Sequence, residues 1–281
     1  MCPPLSTWEC ALSIVATNLL LAASDSDSGF HAPSIAEFFP APLLFGGTPF
    51  EINRIIMVRL ITAAILIIVM VVAARRATLV PGRGQNIAEL GLEFVRVQIA
   101  EETMGHNARR FLPMLTTIFF AVLAFNITGV VPLLNISSTS LIGMPIVLAA
   151  WVYVMYLAVG IRKFGLGGYL KNNLVPPGLP VFLYVLVTPI EALQVFLFRP
   201  ATLALRLTAN MISGHLILVL CFSGTQFFLF GATGILKGAA VVSFTAAIAF
   251  TLFEILVAVL QAYIFTLLSA VYLNMAVEEE H

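Results

Sequence analysis

Between residues 238 and 277 the chain has no proline, no glycine after the first position, and a single charged residue, Glu254. Nothing in that run stops a helix. At 1.5 Å per residue the helix is about 60 Å long, roughly twice the 30 Å hydrocarbon core of a bilayer. An upright span does not fit. Taking up the excess by tilt alone needs about 60°, beyond the usual range of 0–40°. The run therefore predicts a long, strongly slanted helix. Residues 181–230, also mostly apolar and broken by Pro189 and Pro200, predict its partner in a hairpin that turns around Lys237.

The remainder of the chain agrees with a lipid environment. Sixty per cent of its residues are hydrophobic and 10% are charged, against about 25% charged in average globular chains. Its mean hydropathy is +1.03. These values predict an all-α integral membrane protein. The formal net charge is zero, so no basic surplus is available to meet nucleic-acid phosphates. Cys2, Cys10 and Cys221 lack metal-ligand spacing. There is no GxxxxGK[ST] loop, HExxH or CxxC, so no motif points to nucleotide binding, metal hydrolysis or any cofactor.

About five transmembrane helices follow from the apolar runs, in a single membrane domain over residues 51–277. The spans are residues 55–74, 113–134 and 142–161, then the hairpin of 181–230 and 238–277. Arg75-Arg76 and Arg83 follow the first span and Arg162-Lys163 follows the third. By the positive-inside rule these ends are cytoplasmic and the N-terminus lies outside, despite Arg54 and Arg59 at the outer end. Residues 86–104 read instead as an amphipathic helix on the cytoplasmic face, with Glu89, Glu93 and Arg96 on one side and Ile87, Leu90, Phe94 and Val97 on the other. Packing of that helix on another subunit fits the same pattern. Residues 1–50 are an extracytoplasmic N-terminal segment, and 278–281 a short tail. The apolar run 11–23 resembles a signal-peptide core ending near Ala22-Ala23-Ser24. No Lys or Arg precedes it, and a misassigned start explains it equally well.

The polar residues of the hairpin point to function. A charge at membrane depth costs at least about 2.5–3.5 kcal/mol on insertion scales and is a functional candidate by default. Arg206 lies in LALRLTANMISGHL, and Asn210 follows one turn later on nearly the same face. His215, nine residues from Arg206, falls on the opposite face about 13 Å along the axis. On the partner helix Glu254 and Gln261 are seven apart and share a face. Arginine keeps its proton at any physiological pH, so it can attract or block a carboxylate but cannot relay protons; His and Glu can. A lone arginine can instead be a structural anchor, and a lone Gln helix–helix glue. Glu191 and Arg199 mark a helix end or a water contact, Glu191 equally an aqueous cleft.

Two blocks, RPATLALRLTANMISGHLILVL and FEILVAVLQAYIFTLLSAVYLNMA, carry a specific likeness. They resemble the a subunit (subunit 6) of the F0 sector of F-type ATP synthases, and PFEINRI and VPGRGQNIAELGLEFV resemble its actinobacterial members. The likeness covers most of residues 50–277. It implies that Arg206 is the family's essential arginine facing a ring of c subunits, that Asn210 is the polar residue one turn on, and that Gln261 is the glutamine near the arginine. Where some bacterial members carry Glu and then His, this chain carries His215 and then Glu254, the same pair exchanged. The resemblance further implies a non-catalytic, proton-translocating stator subunit, with the c-ring, the b-subunit peripheral stalk and the other synthase subunits as partners. It implies a bacterial plasma membrane rather than a mitochondrial inner membrane, and a proton path through His215, Glu254, Gln261 and Asn210, with Glu191 joined to it on the residues alone as the cytoplasmic end. A secondary transporter would show inverted repeats, and none is visible. A purely structural subunit of a respiratory complex would have no need of Arg206 at membrane depth.

Overall fold

The computed structural model describes residues 53–75, 82–131, 138–174, 181–231, 234 and 237–277. The signal-like run 11–23 and the 278–281 tail lie outside them. Every regular element among the described residues is helical. In chain order these are α1 (Arg54–Arg75), α2 (Arg83–Phe94), α3 (Ala108–Ile127), α4 (Gly143–Leu174), α5 (Val181–Leu193), α6 (Arg199–Phe230) and α7 (Lys237–Val277). Five stretches are long and apolar enough to cross a membrane: Arg54–Arg75, Gly84–Ile127, Gly143–Gly165, Leu186–Phe230 and Lys237–Val277. The protein is therefore an all-α, multi-pass membrane protein, as its composition required.

Two stretches of π-helix interrupt the α-helical pattern. Gln194–Phe198 joins α5 to α6, and the Arg199 N–H bonds back to the Gln194 carbonyl. The cause lies in Pro200, which supplies no N–H and whose ring clashes with the carbonyl four residues back in a regular helix. A widened turn relieves the clash and lets the chain continue as helix. The second stretch, Val95–Glu101, continues α2. It changes which side is packed: Val95, Ile99, Ala100 and Met104 are buried, whereas Leu90, Phe94 and Val97 are exposed. A π-turn holds more residues than an α-turn, so it rotates the next turns out of the 3.6-residue period.

Gly105, with φ of 50°, turns this segment back along α3. A side chain there would strain the left-handed backbone that glycine adopts freely. Gly91 then meets Phe120, whose Cζ would lie 2.9 Å from an added Cβ. Phe94 reaches Phe119 and Tyr263, with ring centroids at 5.8 and 5.9 Å. The amphipathic segment thus packs on the chain's own helices, while Glu89, Glu93 and Arg96 remain exposed.

The helices group into two compact units. In the larger one, through His215 and again from Phe253, the core is built from helix faces at three- and four-residue spacing. Phe111, Leu115, Ile118, Val122 and Phe125 of α3 pack with Leu148, Val152 and Tyr156 of α4, Leu203 and Leu207 of α6, and Phe265 and Leu273 of α7. Apolar burial provides little force between helices in lipid, so packing and polar contacts specify these faces. At one end of α3 the contacts are polar. Arg59 of α1 donates to the Ser138 and Leu141 carbonyls at 2.7 and 3.2 Å, and Thr139 Oγ1 donates to Asn126 Oδ1 at 2.8 Å. In the smaller unit, Leu216–Leu252, Ser243 Oγ donates to the Cys221 carbonyl at 2.9 Å.

The close approach at Gly91 gives a test. Gly91→Leu overpacks the contact with Phe120 and costs about 1–3 kcal/mol, whereas Gly91→Ala needs only a small shift of the ring tip. Thermal inactivation of the purified membrane complex should occur at clearly lower temperature for Gly91→Leu than for Gly91→Ala.

Candidate functional site

The polar residues singled out in the sequence all lie on α5, α6 and α7, within the larger unit. Leu203, Ala204, Leu207, Thr208, Met211 and His215 form the buried face of α6. Arg206 lies off that face and is exposed. Leu205 beside it is 55% exposed, and on α7 Phe253, Leu256 and Leu260 are exposed too. Among the described residues the Arg206 guanidinium has no hydrogen bond and no ion pair. The chain thus carries a permanent cation on an apolar outer surface and supplies no anion for it among those residues.

Beside this cation the two helices meet through polar groups. Asn210 Nδ2 donates to Gln261 Oε1 at 3.4 Å, and Gln261 is buried. Nearer the far end of this unit, Glu254 is 4% exposed and sits against Gly214. A Cβ at Gly214 would lie 3.0 Å from Glu254 Oε1 and 3.2 Å from its Cδ. Gly214 is therefore the gap that admits the carboxylate, next along the chain from buried His215. Neither Glu254 oxygen has a hydrogen-bond partner among the described residues. A buried carboxylate without protein donors is costly unless it holds a proton or meets water.

Glu191 is half-buried on α5, just before the π-helical turn, and makes no hydrogen bond or ion pair among the described residues. The structure thus joins Asn210 to Gln261 and brings Glu254 alongside the His215 segment, but does not link Glu191 or Arg206 to either pair. Among the described residues no three His, Cys, Asp or Glu side chains gather as a metal site.

Gly214 as a seat for Glu254 is not among the residues the sequence pattern singles out, although a glycine in mid-helix can mark close packing. The pattern also leaves Arg199 without partners. Arg199 Nη1 donates to Tyr156 Oη at 3.1 Å, and its Cζ lies 5.8 and 5.5 Å from the ring centroids of Tyr156 and Tyr272. Two tyrosines on helices so far apart in sequence give no local signal of a shared partner.

These features define a multi-pass membrane protein whose isolated polar side chains lie on α5, α6 and α7. Residues 56–274 match the sequence family described as ATP synthase A chain. The chain is 48% identical over 254 residues to ATP synthase subunit a of Rhodococcus erythropolis, covering 90% of this chain and 92% of the relative. It is 37% identical over 264 residues to ATP synthase subunit a of Pseudarthrobacter chlorophenolicus, covering 93% and 99%. With the subunit of the same name from Hyphomonas neptunium it shares 40% over 208 residues, covering 74% and 80%. The chain belongs to the ATP synthase A chain family.

The seating of Glu254 makes a direct prediction. Gly214→Val should displace the carboxylate and lower proton-driven ATP synthesis in membrane vesicles about fivefold or more, since a single overpacking displacement costs about 1–3 kcal/mol. Gly214→Ala should fall between this variant and the parent.

Proposed function

We propose that this chain is the proton-translocating stator subunit a of an F-type ATP synthase, non-catalytic itself, held against a ring of c subunits and joined to the b-subunit stalk. It lies in a bacterial plasma membrane with its N-terminus outside. The observation that carries the reading is the exposed Arg206 guanidinium, unpaired among the described residues, on the apolar edge of α6. A bare guanidinium facing lipid is costly. A rotor carboxylate passing at the same depth removes that cost, and a carboxylate is the group that an arginine recognises best.

Two aqueous half-channels, each reaching part way through the membrane, complete the mechanism. One leads from outside through His215 and Glu254, with Asn210 and Gln261 lining its inner end. The other opens to the cytoplasm near Glu191. A proton delivered by the first neutralises a c-ring carboxylate, which then leaves Arg206 and travels through lipid. On returning, the carboxyl gives its proton to the second half-channel and passes Arg206 as an anion. Arg206 holds the two half-channels apart because it neither carries the proton nor lets a neutral carboxyl take its place. Each transfer is driven by about 2.3 kcal/mol per 100 mV, plus the pH difference.

Arg206→Ala and Arg206→Lys should each lower proton-driven ATP synthesis at least about a hundredfold, as expected when one partner of a desolvated ion pair is lost. Near-normal synthesis would refute the role. His215→Ala and Glu254→Ala should each impair coupling strongly, and the double exchange His215→Glu with Glu254→His should be milder than either. Equal damage from the exchange would show that the two do not act as a pair.

A further inference from the structure

We propose that Arg199 is a positioning residue: its clasp by Tyr156 and Tyr272 sets the register of α6 on α7 and so holds Arg206 in place. The inference rests on the role given to Arg206 above. Among the described residues, Arg199 with Tyr272 and Asn210 with Gln261 are polar rungs between α6 and α7. They are about three helical turns apart, with the same spacing on each helix. Equal spacing on both sides means that the rungs report one antiparallel register, and Arg206 lies between them.

The chemistry of each rung differs. Asn210 reaches Gln261 at 3.4 Å, a long and weak hydrogen bond. Arg199 is held from three directions: by the Tyr156 hydroxyl and by the faces of the Tyr156 and Tyr272 rings. Tyr156 is itself 2% exposed in the core of α4, so the clasp ties α6 and α7 to a third helix. A cavity bounded by Ala149, Val152, Pro200 and Leu203 adjoins it. Directed polar and cation–π contacts hold the guanidinium beside it. The π-helical turn ends at Phe198, immediately before Arg199. The clasp pins the helix just where its period has been reset.

Register matters because Arg206 sits at the edge of the buried face. A slip of one residue turns it by about 100° and moves it about 1.5 Å, which takes the guanidinium off the outer edge. Arg199 does not touch the proton path. It acts through the place it gives Arg206.

The test pairs function with a direct readout of register, in the assembled complex in native membranes with Cys2, Cys10 and Cys221 replaced by Ser. Disulfide formation between Asn210→Cys and Gln261→Cys is measured in the parent and with Tyr272→Phe, Tyr272→Leu, Tyr156→Phe or Arg199→Ala added. ATP synthesis is measured for the same clasp variants without the cysteine pair, at matched complex levels. Tyr272→Phe keeps the ring and should stay within about twofold of the parent in both assays, whereas Tyr272→Leu and Arg199→Ala should fall about fivefold or more, the range set by losing a cation–π contact. Tyr156→Phe removes only the acceptor oxygen and should give an intermediate loss. Unchanged disulfide yield and synthesis in Tyr272→Leu and Arg199→Ala would overturn the proposal. If those variants fail to accumulate, Tyr156→Phe decides, and parental values there also overturn it. A shifted disulfide yield together with active Arg206→Ala would uphold the clasp while removing the function assigned to Arg206.

Discussion

The Arg206 guanidinium, in the middle of an apolar helix, is exposed with no anion of its own among the described residues. In water such a side chain would need no explanation. On a helix long and apolar enough to cross a membrane, it carries a cost that an opposite charge at the same depth relieves. The rest of the site is arranged around this asymmetry. The opposite side of α6 is buried through Leu203, Leu207 and Met211, so the helix cannot rotate to hide the charge without exposing its packed face. The cation is held outward by the same packing that builds the core.

The polar groups inside obey a different rule. Hydroxyls on the helices are mostly satisfied by the carbonyl one turn back, as Thr208 is by Ala204, Thr266 by Ala262 and Ser269 by Phe265, at 2.7–3.0 Å. They ask nothing of a neighbouring helix. Glu254 has no such local partner, and it is admitted only because Gly214 has no side chain. A carboxyl seated in a gap, with its oxygens free of protein donors among the described residues, does not brace two helices. Gln261 and Asn210 do brace them, and so does the Arg199 clasp. Cross-helix polar contacts and the unpartnered carboxyl thus fall on different residues of the same pair of helices.

Much of this was legible in the sequence because membranes simplify the code. Length and apolarity alone identified an all-α membrane protein with five crossing helices. Isolated polar residues in apolar runs picked out Arg206, Asn210, His215, Glu254 and Gln261. The limits have physical causes. The periodicity of α2 suggested an apolar side of Leu90, Phe94 and Val97, yet Val95 and Ile99 are the buried ones, because a π-helical stretch breaks the 3.6-residue period. Pro200 signalled a break in the helix, whereas a widened turn absorbs it. The partners of Arg199 come from helices far apart in sequence, and the importance of Gly214 lies in an atom it lacks. Pattern reading finds residues that are out of place. It does not find those that make room.

The central claim is that the surface around Arg206 faces a rotor. A photoactivatable residue at Leu205, the exposed neighbour of Arg206, can be cross-linked in the assembled complex in native membranes and the adduct identified by mass. The account predicts a covalent product between this chain and a small hairpin subunit of a ring, lost when the ring is absent. Adducts to lipid alone, in a complex that still contains the ring and makes ATP, would contradict it.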